Sequence, residues 1–206
     1  MNLLTPADLP PQLQQATARE SLNKGQILIQ QGEKADRLFW VESGRLRLVS
    51  FIDRQMITHY FVEAGELAAE SSLYFDRYGC TAIAEMASTV ISIPKDNFAN
   101  ALQQSPALSE RYLETLTRRF QGVKELLELR SINSARDRLL QYLMQRRSPG
   151  ETTVILEKSL KTIASELALT PESLSRLLSR LQIEGVITRK KRSISFSEEW
   201  LEDVTQ

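Results

Sequence analysis

The chain has 206 residues, a formal net charge of zero and a hydrophobic content of 42%. It is therefore long enough for one or two domains with real cores, and no apolar run approaches the ~20 residues of a bilayer span. Its start, MNLLTPADLPPQLQQ, lacks the basic stretch and apolar core of a signal peptide, and the single cysteine, Cys80, excludes an internal disulfide and a multi-cysteine metal site. A soluble cytoplasmic protein with no membrane partner is expected. The zero total hides a gradient. Residues 1–135 carry a net charge of −2, residues 136–196 carry +6 (12 Lys/Arg against 6 Asp/Glu), and the tail from Ser197 carries −4.

Residues 3–20 read as a short helical or loop lead-in, broken by Pro6, Pro10 and Pro11. From Leu22 to about Pro94, short β-rich runs alternate with turns at Gly25, Gly32, Gly44 and Gly65. Leu46 and Leu48 alternate with Arg45, Arg47 and Val49, the pattern of a half-buried strand. Residues 83–93 supply one or two more strands. Many short strands at this spacing predict a small antiparallel barrel or jelly roll, a shape that can hold a small ligand at one end.

From about Ser105 the period becomes helical. Leu113, Leu116, Phe120, Val123 and Leu127 recur at alternating spacings of 3 and 4, which is a coiled-coil seam. A single amphipathic helix on its own domain's core would show the same pattern over so short a run. Tyr112, Leu126 and Leu129 widen the seam and suggest that the helix also packs on the barrel. Ile132-Asn133-Ser134 breaks the helix; a second follows, with Leu139, Leu140, Leu143 and Met144 as its apolar side. Residues 146–151 form a turn and 152–157 a short strand.

The stretch LKTIASELALTPESLSRLLSRLQIEG, residues 160–185, reads as two short helices around a tight turn. Ser159 can cap the first. Thr170 can cap the second, Pro171 fits its first position, and Gly185 suits its left-handed end. Leu174, Leu177, Leu178 and Leu181 form one apolar face, and Glu172, Ser175, Arg176, Ser179 and Arg180 lie opposite, with Ser173 in the first turn. A solvated surface helix is the bland alternative. Short hydroxyls and arginines near a helix N-terminus instead suit the DNA major groove, where Arg forks onto guanine. After Gly185, VITRKKRSISF reads as two strands around a basic tip, Arg189-Lys190-Lys191-Arg192. Beside such a helix the tip is a wing that meets phosphates. The basic excess of residues 136–196 lies where double-stranded DNA would need it.

These residues resemble the bacterial CRP/FNR transcription regulators. QGEKADRLFWVESGRLRL is similar to the family's opening β-hairpins, AGELAAESSLY to the start of its ligand segment and AEMASTVISIPKDNF to the end of its barrel. LTRRFQ opens the part of the long helix that forms the dimer seam, and LTPESLSRLLSRLQIEGVI is close to the recognition helix. The resemblance implies an α+β homodimer. Each subunit would have an N-terminal double-stranded β-helix of the cyclic-nucleotide-binding jelly-roll type (1–104), a central dimerisation helix (105–133) and a C-terminal winged helix-turn-helix (134–206). It implies RNA polymerase as a partner, and a small-molecule effector that shifts the seam helix and re-aims the readers. Glu172, Ser175 and Arg176 match its base-reading positions. Their E-x-x-S-R spacing is nearer the FNR branch and implies a palindrome of TTGAT-like half-sites.

The effector segment departs from the cyclic-AMP binders. Glu70 matches the ribose-binding carboxylate, but Ala69 replaces the preceding glycine. Tyr78 and Gly79 stand where an Arg-Ser pair holds phosphate, with Arg77 one residue away. Val123 and Lys124 replace the Thr-Ser pair that meets adenine. A buried phosphate needs a paired cation, so cyclic AMP is disfavoured and no cofactor is assigned. Cys80 alone cannot hold an iron–sulfur cluster of the kind found in oxygen-sensing FNR proteins; it could serve as a redox switch if exposed and electropositive. His59, the only histidine, is expected to pack or face solvent. The contrasting class, a cupin-like metal-dependent barrel enzyme, needs two or three histidines near a carboxylate, and one is present. No catalytic set is expected.

Overall fold

The computed structural model describes residues 5–53 and 55–205. The chain divides into two compact units, Met1–Gln121 and Gly122–Gln206.

Among the described residues, the first unit is a roll of eight strands: β1 (Ala18–Leu22), β2 (Ile27–Ile29), β3 (Arg37–Ser43), β4 (Arg45–Ile52), β5 (Gln55–Glu63), β6 (Leu67–Ala68), β7 (Thr81–Ala84) and β8 (Ser88–Pro94). They form two antiparallel four-stranded sheets, ordered β1-β8-β3-β6 and β2-β7-β4-β5. Phe39, Val41, Leu46, Leu48, Val62, Ala82 and Val90 fill the interior of the roll. The other face of the first sheet is buried too. Leu38, Trp40 and Ile93 meet Leu13 of α1 (Pro11–Gln15), Phe98 and Ala101 of α2 (Lys95–Gln104), and Leu108 and Tyr112 of α3 (Pro106–Ser131). Strand β3 thus has four consecutive buried residues, Leu38 to Val41, because both its faces are covered.

Strand β4 keeps the expected alternation only at its start. Arg45 and Arg47 point outward and Leu46 and Leu48 inward, but Val49 is also buried because the pairing with β5 shifts register between Leu48 and Val49. Two elements differ from the expectation. The lead-in ends in a strand, β1, whose ARESL sequence shows no apolar alternation because its first four residues are exposed; it is held by its ladder to β8. The barrel also does not run straight into the long helix. Pro94 starts α2, whose Phe98 and Ala101 close the outer face of the sheet.

The second unit holds the end of α3, then α4 (Ala135–Gln145), β9 (Thr153–Ile155), α5 (Leu160–Glu166), α6 (Pro171–Ile183), β10 (Ile187–Lys190), β11 (Ser193–Phe196) and α7 (Glu198–Thr205). Three strands pair in the order β10-β11-β9. Leu139, Leu143, Val154, Ile163, Leu167, Leu174, Leu178, Leu181, Ile187 and Ile194 share one core. Leu129, expected on the barrel, is buried in this core instead, while Tyr112 packs edge-on against Phe98 in the roll as expected. The acidic tail is helical, and Trp200 stacks on Phe196 with centroids 5.1 Å apart.

Gly44 makes the tight turn from β3 into β4. Its φ is +82°, and a Cβ placed there would lie 2.6 Å from the Ala87 carbonyl oxygen and 2.6 Å from the Ser88 Cα. Gly65 has a φ of +89° but open space around it. Both positions penalise a side chain by about 1–2 kcal/mol through the backbone, and only Gly44 adds a backbone collision. Urea denaturation should therefore show Gly44→Ala to be clearly less stable than Gly65→Ala; equal losses would contradict the packing described.

Candidate nucleic-acid interface and effector site

Helix α6 is built to hold one face still and leave the other bare. The preceding turn places Ala168 in the left-handed region, at φ 52°, and Leu169 N–H donates to the Ala164 carbonyl at 2.8 Å. Thr170 Oγ1 then accepts from the Ser173 N–H at 3.1 Å, which caps the helix, and Pro171 occupies its first position. Leu174, Leu178 and Leu181 are fully buried and Leu177 packs against the same core. Glu172, Ser175, Arg176, Ser179 and Arg180 are all exposed, and Ser173 is half-buried. Along this bare side Thr170 Oγ1 donates to Ser173 Oγ at 3.0 Å, and Arg176 Nη2 reaches the same oxygen at 3.3 Å. Gly185 ends the helix with a φ of +74°.

The expected two-stranded hairpin follows α6, but its four basic residues do not all form the tip. Arg189 and Lys190 lie within β10, paired with Ile194 and Ser193. The turn is made by Lys191, at φ 55°, and Arg192. Arg189 is half-buried and its Nε donates to the Lys191 carbonyl at 3.3 Å, so it braces the hairpin rather than forming its tip. Lys190, Lys191 and Arg192 are exposed.

Several residues that place α6 were not foreseen. Arg130 at the end of α3 donates from Nε to the Glu166 carbonyl at 2.9 Å, and Arg138 of α4 donates from Nη1 to the Leu167 carbonyl at 2.6 Å. Both satisfy carbonyls left open at the C-terminus of α5. The buried Glu166 carboxylate accepts from Lys158 Nζ at 2.6 Å. Beyond α6, the Glu184 carboxylate binds Arg180 and Arg136. Each pairing joins residues far apart in sequence or beyond a helix end, where no periodicity announces it. Only Arg180 and Glu184, four residues apart on one face, could have been read as a pair.

Within the roll, Glu70, Arg77, Tyr78 and Gly79 do not gather into a phosphate site. Ala69 holds a left-handed conformation, φ 65°, and starts the short 3₁₀ turn Glu70–Leu73. The Glu70 side chain is only 10% exposed and is bound to the Arg119 guanidinium of α3, which also donates to the Leu67 carbonyl and lies 3.6 Å from Glu66. Burial pushes the Glu70 carboxyl up in spite of that partner. Arg77 turns away: it is exposed and donates to the Gly32 carbonyl at 2.7 Å. Tyr78 is buried with its hydroxyl donating to the Arg37 carbonyl at 3.0 Å, while Gly79 is exposed. Val123 and Lys124, in the second unit, are exposed, and Lys124 Nζ lies 3.6 Å from Glu128. Arg119 was missed, though it stands one helical turn before Val123.

Around Glu70, burial and the carboxylate's charge raise the Tyr60 hydroxyl to about 12 and push the Cys80 thiol up. That suppresses the thiolate, the opposite of what a redox cysteine needs. His59 Nε2 lies 2.7 Å from Ser50 Oγ, which gives it a packed role. Among the described residues no group of His, Cys, Asp and Glu comes together that could hold a metal ion, and no helix is long and apolar enough to cross a membrane.

The seam residues of α3 divide. Leu113, Phe120, Val123 and Leu127 are 64%, 72%, 42% and 69% exposed. Leu116 instead is half-buried against the outer core of the roll.

Comparison with known proteins agrees with both halves. Residues 19–105 match the family model of the cyclic nucleotide-binding domain, and residues 137–201 match that of the Crp-like helix-turn-helix domain. The transcriptional activator protein anr of Pseudomonas aeruginosa is 25% identical over 181 residues, covering 84% of this chain and 74% of its own length. The fumarate and nitrate reduction regulatory protein of Vibrio cholerae is 27% identical over 195 residues, covering 89% and 77%. Among solved structures, a CooA mutant from Carboxydothermus hydrogenoformans superposes with a TM-score of 0.72 at 21% identity, over 93% of this chain and 89% of that one. FixK2 from Bradyrhizobium japonicum gives 0.65 at 18%, over 91% and 96%. With a roll, a long helix and a winged helix-turn-helix in this order, the chain belongs to the CRP/FNR family of transcription regulators.

Proposed function

We propose that this chain acts in the cytoplasm as a homodimer that reads a two-fold-symmetric DNA site through α6, with the β10–β11 hairpin on the flanking phosphates. The observation that carries the reading is the bare face of α6, where Glu172, Ser175, Arg176, Ser179 and Arg180 are exposed while the leucines opposite are buried. Arg176 forks onto a guanine and Glu172 accepts from a cytosine amine. TTGAT-like half-sites, about one DNA turn apart, satisfy both contacts. The exposed apolar residues of α3 support the dimer, since large side chains left bare along a helix mark an interaction face. RNA polymerase is the further partner expected of such a regulator.

The roll works without cyclic AMP in this reading. Its one matching ribose-site residue, Glu70, is occupied by Arg119, and Arg77 serves the Gly32 carbonyl. Any effector would be a small molecule of another kind that displaces this pairing.

Arg176→Ala should lower affinity for the half-site duplex by about 10- to 100-fold, the equivalent of about 1–3 kcal/mol, and leave affinity for a scrambled duplex nearly unchanged. Competition binding measures both, and an equal loss on both sequences would make Arg176 a phosphate contact. Leu113→Glu together with Phe120→Glu places charges on the bare face of α3. Sedimentation should then show a monomer with native far-ultraviolet circular dichroism; an unchanged dimer would move the interface elsewhere.

A further inference from the structure

Glu184 is a carboxylate held between two arginines beside the bare face of α6. Its Oε1 accepts from Arg180 Nε at 2.9 Å, and its Oε2 accepts from Arg136 Nη2 at 3.0 Å and Nε at 3.3 Å. Arg180 belongs to α6 and is 76% exposed, whereas Arg136 comes from the first turn of α4, where it also lies 3.7 Å from Asp137. Hydrogen bonding from Arg136, then from Arg180, holds the Glu184 carboxyl below the usual range for glutamate, so it stays charged at neutral pH.

Glu184 ties the first turn of α4 to the end of α6, but its negative charge is not what ends the helix. It stands at the C-terminal cap of α6, where a negative charge opposes the helix dipole. The helix is stopped by Gly185 in the left-handed region and by the Val186 N–H bond to the Leu181 carbonyl at 3.0 Å. What Glu184 does is neutralise cations. Arg180 stands one turn beyond Arg176, and Glu184 brings Arg136 to the same end of the helix, so two of the guanidiniums nearest that end are held by one internal anion.

We propose that Glu184 is a specificity-determining residue of the DNA surface: it neutralises Arg180 and Arg136, holding down the phosphate affinity that every sequence shares while leaving base reading by α6 intact. The proposal rests on the reading that α6 faces DNA. Phosphate contacts dominate affinity and carry no sequence information, so an internal carboxylate that competes for two guanidiniums weakens all sequences alike and raises the share contributed by base contacts.

The test is Glu184→Gln, which removes the charge and keeps the shape. On a scrambled duplex the variant should bind about three- to tenfold tighter at near-physiological salt, and its plot of log affinity against log salt should steepen by about one to two units per reading helix. Affinity for the specific duplex should rise less, so the ratio of specific to scrambled binding falls. Arg136→Ala should cost little while Glu184 is present and several-fold more in the Glu184→Gln background, a coupling that a merely structural role would not produce. Thermal midpoints of the variants should match the parent, and Glu184→Ala provides a second neutral variant. Unchanged affinity and slope in both neutral variants, with the parent binding duplex normally, would overturn the proposal. A parent that binds no duplex would instead refute the DNA reading on which it rests.

Discussion

The buried face of α6 governs what its other face can do. A helix can present side chains to a partner in a fixed pattern only if it cannot roll, and Leu174, Leu178 and Leu181 prevent rolling by filling a shared core with Ile163, Leu167 and Ile187. Each fully buried leucine contributes about 1.5–3 kcal/mol, enough to fix the helix orientation against thermal energy. The start of the helix is set by the Thr170 cap and Pro171, and its end by Gly185. Arg130 and Arg138 hold the preceding helix by its open carbonyls. The exposed serines and arginines inherit their positions from these constraints.

The roll obeys a different constraint. Its first sheet is buried on both faces, by the second sheet on one side and by α1, α2 and the start of α3 on the other. Arg119 reaches from α3 to Glu70 and the Leu67 carbonyl, so the Glu70 carboxylate is satisfied from within the unit. A ligand must offer more than Arg119 does, and must also repay the desolvation of whatever charge it brings. The left-handed Ala69 keeps the backbone shape that a glycine would adopt without strain. On the proposed reading, the backbone of an effector site is kept while its chemistry is changed.

Much of this was legible in the residues, for reasons that can be named. The helix-turn-helix is written in local signals: caps at Ser159 and Thr170, a proline at the first position, a glycine after the end and leucines at helical spacing. The seam was legible as a repeat, but Leu116 belongs to the roll's outer core and Leu129 to the reader's, because a helix shared by two cores uses its apolar residues for both. Strand β1 escaped because its stability comes from pairing with β8, and helix α2 escaped because only Phe98 and Ala101 of its residues are buried. The wing's chemistry was legible and its register was not: nothing in TRKKRS says that Arg189 would fold back onto the turn. The Glu70–Arg119 and Glu184–Arg136 pairs join residues 49 and 48 positions apart, which no single-sequence pattern encodes.

The central claim is that α6 reads DNA by sequence and that the roll, its anionic site already filled, does not need a cyclic nucleotide for this. The most direct measurement is competition binding of the purified protein to a labelled duplex with two TTGAT half-sites, against a scrambled duplex, at fixed near-physiological salt, with and without cyclic AMP. The account predicts specific binding without the nucleotide and no change when it is added. Specific binding that appears only with cyclic AMP would contradict it, because the nucleotide would then have displaced Arg119 from Glu70 and found a cation for its phosphate.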